Sequence, residues 1–68
     1  MKKSERIVNV RFSGHGHYKV TIVRYGVEHT ATIDDMPTID NYKDGTEVAA
    51  NNLYDMVIRK CNLAKYSY

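Results

Sequence analysis

Cysteine is almost missing from this chain. Cys61 stands alone among 68 residues, which excludes an internal disulfide framework. One cysteine with three histidines also falls short of the closed four-ligand shell of a structural zinc site, so no metal is expected. Long apolar runs are missing too. No segment approaches the roughly 20 residues of a membrane-spanning helix, and none has the apolar length of a signal peptide. A lone thiol without either feature suggests a soluble protein in a reducing, cytoplasmic setting with no membrane partner. Catalytic signals are equally lacking. Ser4, Ser13 and Ser67 have no base partner readable from the sequence, and no carboxylate pair stands out. The reading is a non-enzymatic protein with no catalytic residue, no cofactor and no evident small-molecule substrate.

What is there amounts to one small domain over residues 1–68. A chain of this size buries only about 60% of its unfolded surface, so its core is marginal. Without metal or disulfide, self-association is the remaining supplement. The net charge is +2, but residues 1–33 carry +4 and residues 34–68 carry −2. A basic strand half and an acidic helical half can mark a nucleic-acid face, although charge also serves solubility alone.

The hydrophobic period changes once along the chain. From Arg6 to Ile33 apolar and polar residues alternate, and from Asp44 to Ala64 apolar residues recur at helical spacing. The first strand, Arg6 to Phe12, puts Val8, Val10 and Phe12 on one face and Ile7, Asn9 and Arg11 on the other. Ser13-Gly-His-Gly16 interrupts it. The second strand runs from about His17 to Tyr25, with Tyr18, Val20 and Ile22 inward and Lys19, Thr21, Val23 and Tyr25 outward. The third runs from Val27 to Ile33. A two-residue Tyr25-Gly26 loop pairs Val20 with Ala31, Ile22 with His29 and Tyr18 with Ile33. A three-residue loop would mix the faces, because a one-residue slip reverses every side chain.

Two helical segments follow. Asp35-Met-Pro37 has the form of a capped helix start with proline in the first turn, and a single short turn is expected there, burying Ile39 and Tyr42. Asp44-Gly-Thr-Glu47 has the form of a capping box with Asp44 as cap. The helix behind it carries a stripe of Ala50, Leu53, Val57, Cys61 and Ala64, flanked by Ala49, Tyr54 and Met56, with Ile58 near the exposed boundary. Residues 1–5 and 65–68 show no period and are read as flexible. The fold class is α+β: a three-stranded antiparallel meander packed on one C-terminal helix in two layers, with a short helical turn before the long helix.

Most polar groups have ordinary structural readings. His15 and His17 are only two ligands, too few for a firm metal site. Asp34, Asp35, Asp40 and Asp44 do not match a calcium loop, and Asp35 and Asp44 are accounted for as caps. Gly14 and Gly16 precede a strand, so they are no phosphate loop. Cys61 lies on the buried stripe as a small hydrophobe. The sheet face turned away from the helix is the better candidate. Arg11, Lys19, Thr21 and Tyr25, with Arg24, mix cations, hydroxyls and an aromatic, the residue types that contact phosphates and base edges. A protein-interaction or homodimerisation module is the alternative, with Ile7, Val23 and Tyr25 on the same face as its apolar contacts.

Two resemblances bear on these readings. The Tyr18-Lys-Val-Thr-Ile-Val-Arg24 strand and the Glu47-Val-Ala-Ala-Asn-Asn-Leu-Tyr-Asp55 helix resemble sheet-reading DNA-binding domains, the plant AP2 type and the N-terminal domains of some transposon integrases. That likeness implies DNA contacts at Arg11, Lys19 and Arg24. Gly16 to Thr21, Met36 to Asp40 and Ala49 to Asp55 are similar to short uncharacterised proteins of phages and mobile elements of gut bacteria. That second likeness spans most of the chain and implies an origin and a fold without an assigned activity.

Overall fold

The computed structural model describes residues 4–63. Strands β1 (Glu5–Gly14), β2 (His17–Arg24) and β3 (Val27–Ile33) form an antiparallel sheet in the order β1-β2-β3, followed by α1 (Met36–Lys43) and α2 (Glu47–Lys60). The helices lie on one face of the sheet, giving the two-layer α+β arrangement that the change of period predicts. Val20 and Ile22 from the central strand, Ile33 from β3, Ile39 from α1, and Leu53 and Val57 from α2 are fully buried together. Each such side chain contributes roughly 1.5–3 kcal/mol relative to exposure.

The β2–β3 register is the one expected: Tyr18 opposes Ile33, Val20 opposes Ala31 and Ile22 opposes His29. Tyr25 and Gly26 both have positive φ, at 50° and 81°, which is the type I′ geometry that matches strand twist in two-residue hairpins. His15 and Gly16 do the same between β1 and β2, at 54° and 74°.

Strand β1 departs from strict alternation. Ile7 opposes Ile22 and Asn9 opposes Thr21, so Val8 is an extra residue, and a second irregularity falls between Phe12 and Gly14. The bulge at Val8 reverses the faces upstream of it. Ile7 therefore joins Val10 on the helix side and packs against the core, while Val8 is 42% exposed. The expectation that Val8 faces inward and Ile7 outward is corrected on this ground. The physical reason lies in Arg6, which strict alternation would turn inward beside Val8; the bulge turns it out, opposite Val23. Phe12 keeps its predicted side, pairing with Tyr18, but it lies beyond the helices and is 64% exposed.

The helical half differs in detail. Asp35 caps α1 and accepts from the Thr38 amide at 3.3 Å, and the helix runs for eight residues rather than one turn. Ile39 is buried and Tyr42 half-buried, as expected. Thr46, not Asp44, caps α2, accepting from the Ala49 amide at 3.2 Å; Asp44 instead ends α1. The buried stripe of α2 is Ala49, Leu53, Tyr54, Val57 and Ile58, turned from the predicted one. Ile58, only 3% exposed, replaces Cys61 because an isoleucine removes more apolar area from water than a thiol. Ala64 and the tail lie outside the described residues. The end of α2 is a Schellman motif: Asn62 has φ 56°, its amide donates to the Arg59 carbonyl, and the Leu63 amide donates to the Ile58 carbonyl at 2.9 Å.

The bulge makes a direct prediction. Ile7→Ala should lower the unfolding free energy by about 1–2 kcal/mol, and Val8→Ala by less than about 0.5 kcal/mol. Urea denaturation of both variants measures the order, and strict alternation would reverse it.

Candidate functional site

Among the described residues no helix lies against the outer face of the sheet. Pairing places Arg6 beside Val23, Asn9 beside Thr21 and Arg11 beside Lys19 across β1 and β2. Across β2 and β3 it places Lys19 beside Thr32, Thr21 beside Thr30 and Val23 beside Glu28. The face is thus a grid of three cations, one carboxylate, threonines, an asparagine and one valine. Arg6, Asn9, Arg11, Lys19, Glu28, Thr30 and Thr32 are exposed, and Thr21 and Val23 half-buried. The Thr21 and Thr30 hydroxyls share a hydrogen bond of 2.9 Å.

Arg11 opposite Lys19 is the notable pairing. Directly opposed side chains in an antiparallel sheet stand roughly 4.5–5.5 Å apart at Cβ, and like charges there are destabilising. The pairing therefore sets two positive charges side by side on this face. Arg6, which strict alternation hides, adds a third cation to the same strand edge. The signal for Arg6 was present in the sequence: an arginine two positions before an inward residue has no place in a core this small.

The remaining predicted residues divide. Arg11, Lys19, Thr21 and Val23 sit on the outer face as expected. Ile7 does not, for the reason given above. Arg24 belongs to the opposite side: it shares the face of Ile22, opposes Glu5 and Val27, and its charge acts on Tyr54 of α2. Simple alternation from Ile22 already puts Arg24 there. Tyr25 sits at the hairpin tip between the faces, 55% exposed, with the Arg24 guanidinium 5.7 Å from its ring centroid, within cation–π range. Its amide donates to the Ser4 carbonyl at 2.7 Å. A bulky residue at positive φ is an uncommon choice, and such conformations cluster at functional positions.

Other polar and aromatic contacts join the elements. Phe12 meets Tyr18 edge-on at 5.4 Å. Lys43 lies 5.1 Å from the Tyr18 ring and donates to its hydroxyl at 3.2 Å, which ties α1 to the sheet. Among the described residues no group of three or more His, Cys, Asp or Glu is placed to hold a metal ion, and no helix is long and apolar enough to cross a membrane. A depression of about 210 Å³ between the helices, lined by Asn41, Asp44, Thr46, Val48, Ala49 and Asn52, is smaller than the roughly 300–1,000 Å³ of ligand pockets. Comparison with protein-family models, curated proteins and solved structures returns no match.

Tyr54 carries a distinct electrostatic perturbation. Its hydroxyl is buried without a hydrogen-bond partner. Burial first, then the nearby Glu5 carboxylate, push its pKa above the ordinary 10.0, with Arg24 opposing. A phenol kept neutral in the fold stabilises it fully below the unfolded pKa, and that contribution is lost as pH rises through the folded value.

Two predictions follow from these tyrosines. Tyr25→Asn, which suits a type I′ turn, should raise stability by about 0.5–1 kcal/mol, since a side chain in the left-handed region costs roughly 1–2 kcal/mol; thermal unfolding measures it. Tyr54→Phe removes an unsatisfied hydroxyl and should leave stability at pH 7 equal or higher by about 1 kcal/mol. The same variant should flatten the fall in stability above about pH 10 relative to the parent, read by urea denaturation across that range.

Proposed function

We propose that this chain is a non-enzymatic binding module that docks nucleic acid on the outer face of its sheet. The observation that carries the reading is the direct opposition of Arg11 and Lys19 on an uncovered face, with Arg6 on the same strand. A phosphate backbone laid across that row relieves the like-charge repulsion and releases its own counterions. Asn9, Thr21 and Thr32 beside the cations supply donors and acceptors for sugar, phosphate or base edges. Tyr25 at the corner adds an aromatic contact. Arg24 lies on the other side of the sheet and reaches the ligand around the hairpin tip beside Tyr25 rather than from the face.

The alternative, a protein-interaction surface built on Ile7, Val23 and Tyr25, loses Ile7 to the core. Val23 is left between Arg6 and Glu28, which is a poor apolar patch. The similarity of Gly16–Thr21, Met36–Asp40 and Ala49–Asp55 to phage and mobile-element proteins supports an origin of that kind. The single unpaired Cys61 fits a cytoplasmic setting.

Binding to a mixed-sequence DNA duplex, measured by fluorescence anisotropy at several salt concentrations, tests the proposal. Affinity should fall with salt with a log–log slope of about −2 to −3, since each neutralised phosphate contributes roughly −0.9. Replacing Arg11 and Lys19 together by alanine should weaken binding at least tenfold at low salt and shrink the slope by about 2. No binding at low salt, or an unchanged slope in the double variant, would overturn it.

A further inference from the structure

The two edges of the sheet are unlike. β1 carries two irregularities and the side chains of Arg6 and Arg11, devices that discourage pairing with another strand. β3 carries neither: its seven residues, Val-Glu-His-Thr-Ala-Thr-Ile, pair with β2 without interruption and contain no proline, no lysine and no arginine. In a two-residue hairpin the pair closing the loop exchanges its backbone hydrogen bonds, and bonded and non-bonded pairs then alternate. Arg24–Val27, Ile22–His29 and Val20–Ala31 are the bonded pairs, so the N–H and C=O groups of Glu28, Thr30 and Thr32 point away from β2. The Thr30 carbonyl agrees with this, since it accepts from the Cys61 thiol at 3.7 Å, a weak donor.

We propose that β3 pairs antiparallel with β3 of a second copy about a two-fold axis at Thr30, joining two sheets into one of six strands. This surface differs from the outer face considered above. The register follows from the outward groups: with Thr30 opposite its own copy, Glu28 opposes Thr32 of the second copy, and every outward group on these three residues gains a backbone partner. The thiol contact on Thr30 is replaced by a stronger amide donor. A one-residue slip would set outward groups against inward ones.

Charge fits the same register. Across the outer face the row reads Arg11, Lys19, Thr32, then Glu28, Val23 and Arg6 of the second copy. The β3 carboxylate of each copy therefore lies two strands from the other's Lys19, roughly 10 Å away at the usual strand spacing, and no like charges oppose each other across the seam. A second copy is thus the occupant that this edge complements by itself, and pairing extends a core that is marginal at this chain length.

Position 32 tests the register, because it is outward-facing and exposed, so neither variant disturbs the core. Thr32→Glu sets a carboxylate opposite Glu28 of the second copy, twice per dimer, while gaining Lys19 within its own sheet. Thr32→Lys does the reverse in both respects. Sedimentation velocity of the full chain over a dilution series should show a concentration-dependent dimer. Its dissociation constant should rise roughly tenfold in Thr32→Glu and fall several-fold in Thr32→Lys, while the unfolding midpoints, measured where each variant is monomeric, move in the opposite sense. A chain that stays monomeric up to about 1 mM, or a dimer indifferent to both substitutions, would overturn the proposal.

Discussion

One extra residue in β1 sorts the whole molecule. With Val8 as a bulge, Ile7 reaches the core opposite Ile22 and Arg6 turns out opposite Val23. A small domain with a single buried layer has little room for an arginine, and burying an isoleucine removes more apolar area from water than burying a valine. Both demands are met by the same insertion. The consequence is a sheet with two chemically distinct faces: one apolar and covered by α1 and α2, the other hydrophilic and open.

That separation links packing to the proposed activity. The core uses Val20 and Ile22 of the central strand as the floor on which Leu53, Val57 and Ile58 of α2 and Ile39 of α1 rest. Because Val20 and Ile22 are buried on that side, the alternating residues Lys19, Thr21 and Val23 are turned to the outer face. Arg11 opposite Lys19 then sets two exposed cations side by side on one row of that face. The cost in repulsion is a feature of the free protein that a polyanion would remove.

Much of this was legible from the residues. The β2–β3 pairing followed from loop parity and alternation together, since only an even loop keeps Val20, Ile22 and Ala31 on one side. Asp35 and Pro37 marked the start of α1 correctly. The bulge was less visible because Ile7 and Val8 are adjacent and both apolar, so alternation has two solutions; the charge of Arg6 was the clue that separates them. Asp44 and Thr46 both suit a helix start, and Thr46 rather than the expected Asp44 caps α2 because Asp44 already ends α1. The stripe of α2 is turned because Tyr54 and Ile58 carry more apolar area than Ala50 and Cys61, and area as well as spacing decides which side is buried. Of the candidate site, Arg11, Lys19 and Thr21 stood where alternation put them. Arg24 has the charge of a site residue, but its parity with Ile22 sets it on the other side of the sheet.

The most direct test of the account is an amide-resolved NMR titration of the labelled protein with a mixed-sequence DNA duplex at low and then moderate salt. The account predicts salt-sensitive shifts concentrated at Arg6, Asn9, Arg11, Lys19, Thr21, Tyr25 and Thr32, with α1 and the buried face of α2 unmoved. Shifts centred on the helices, or no shifts at low salt, would contradict the assignment of the open sheet face as a nucleic-acid surface.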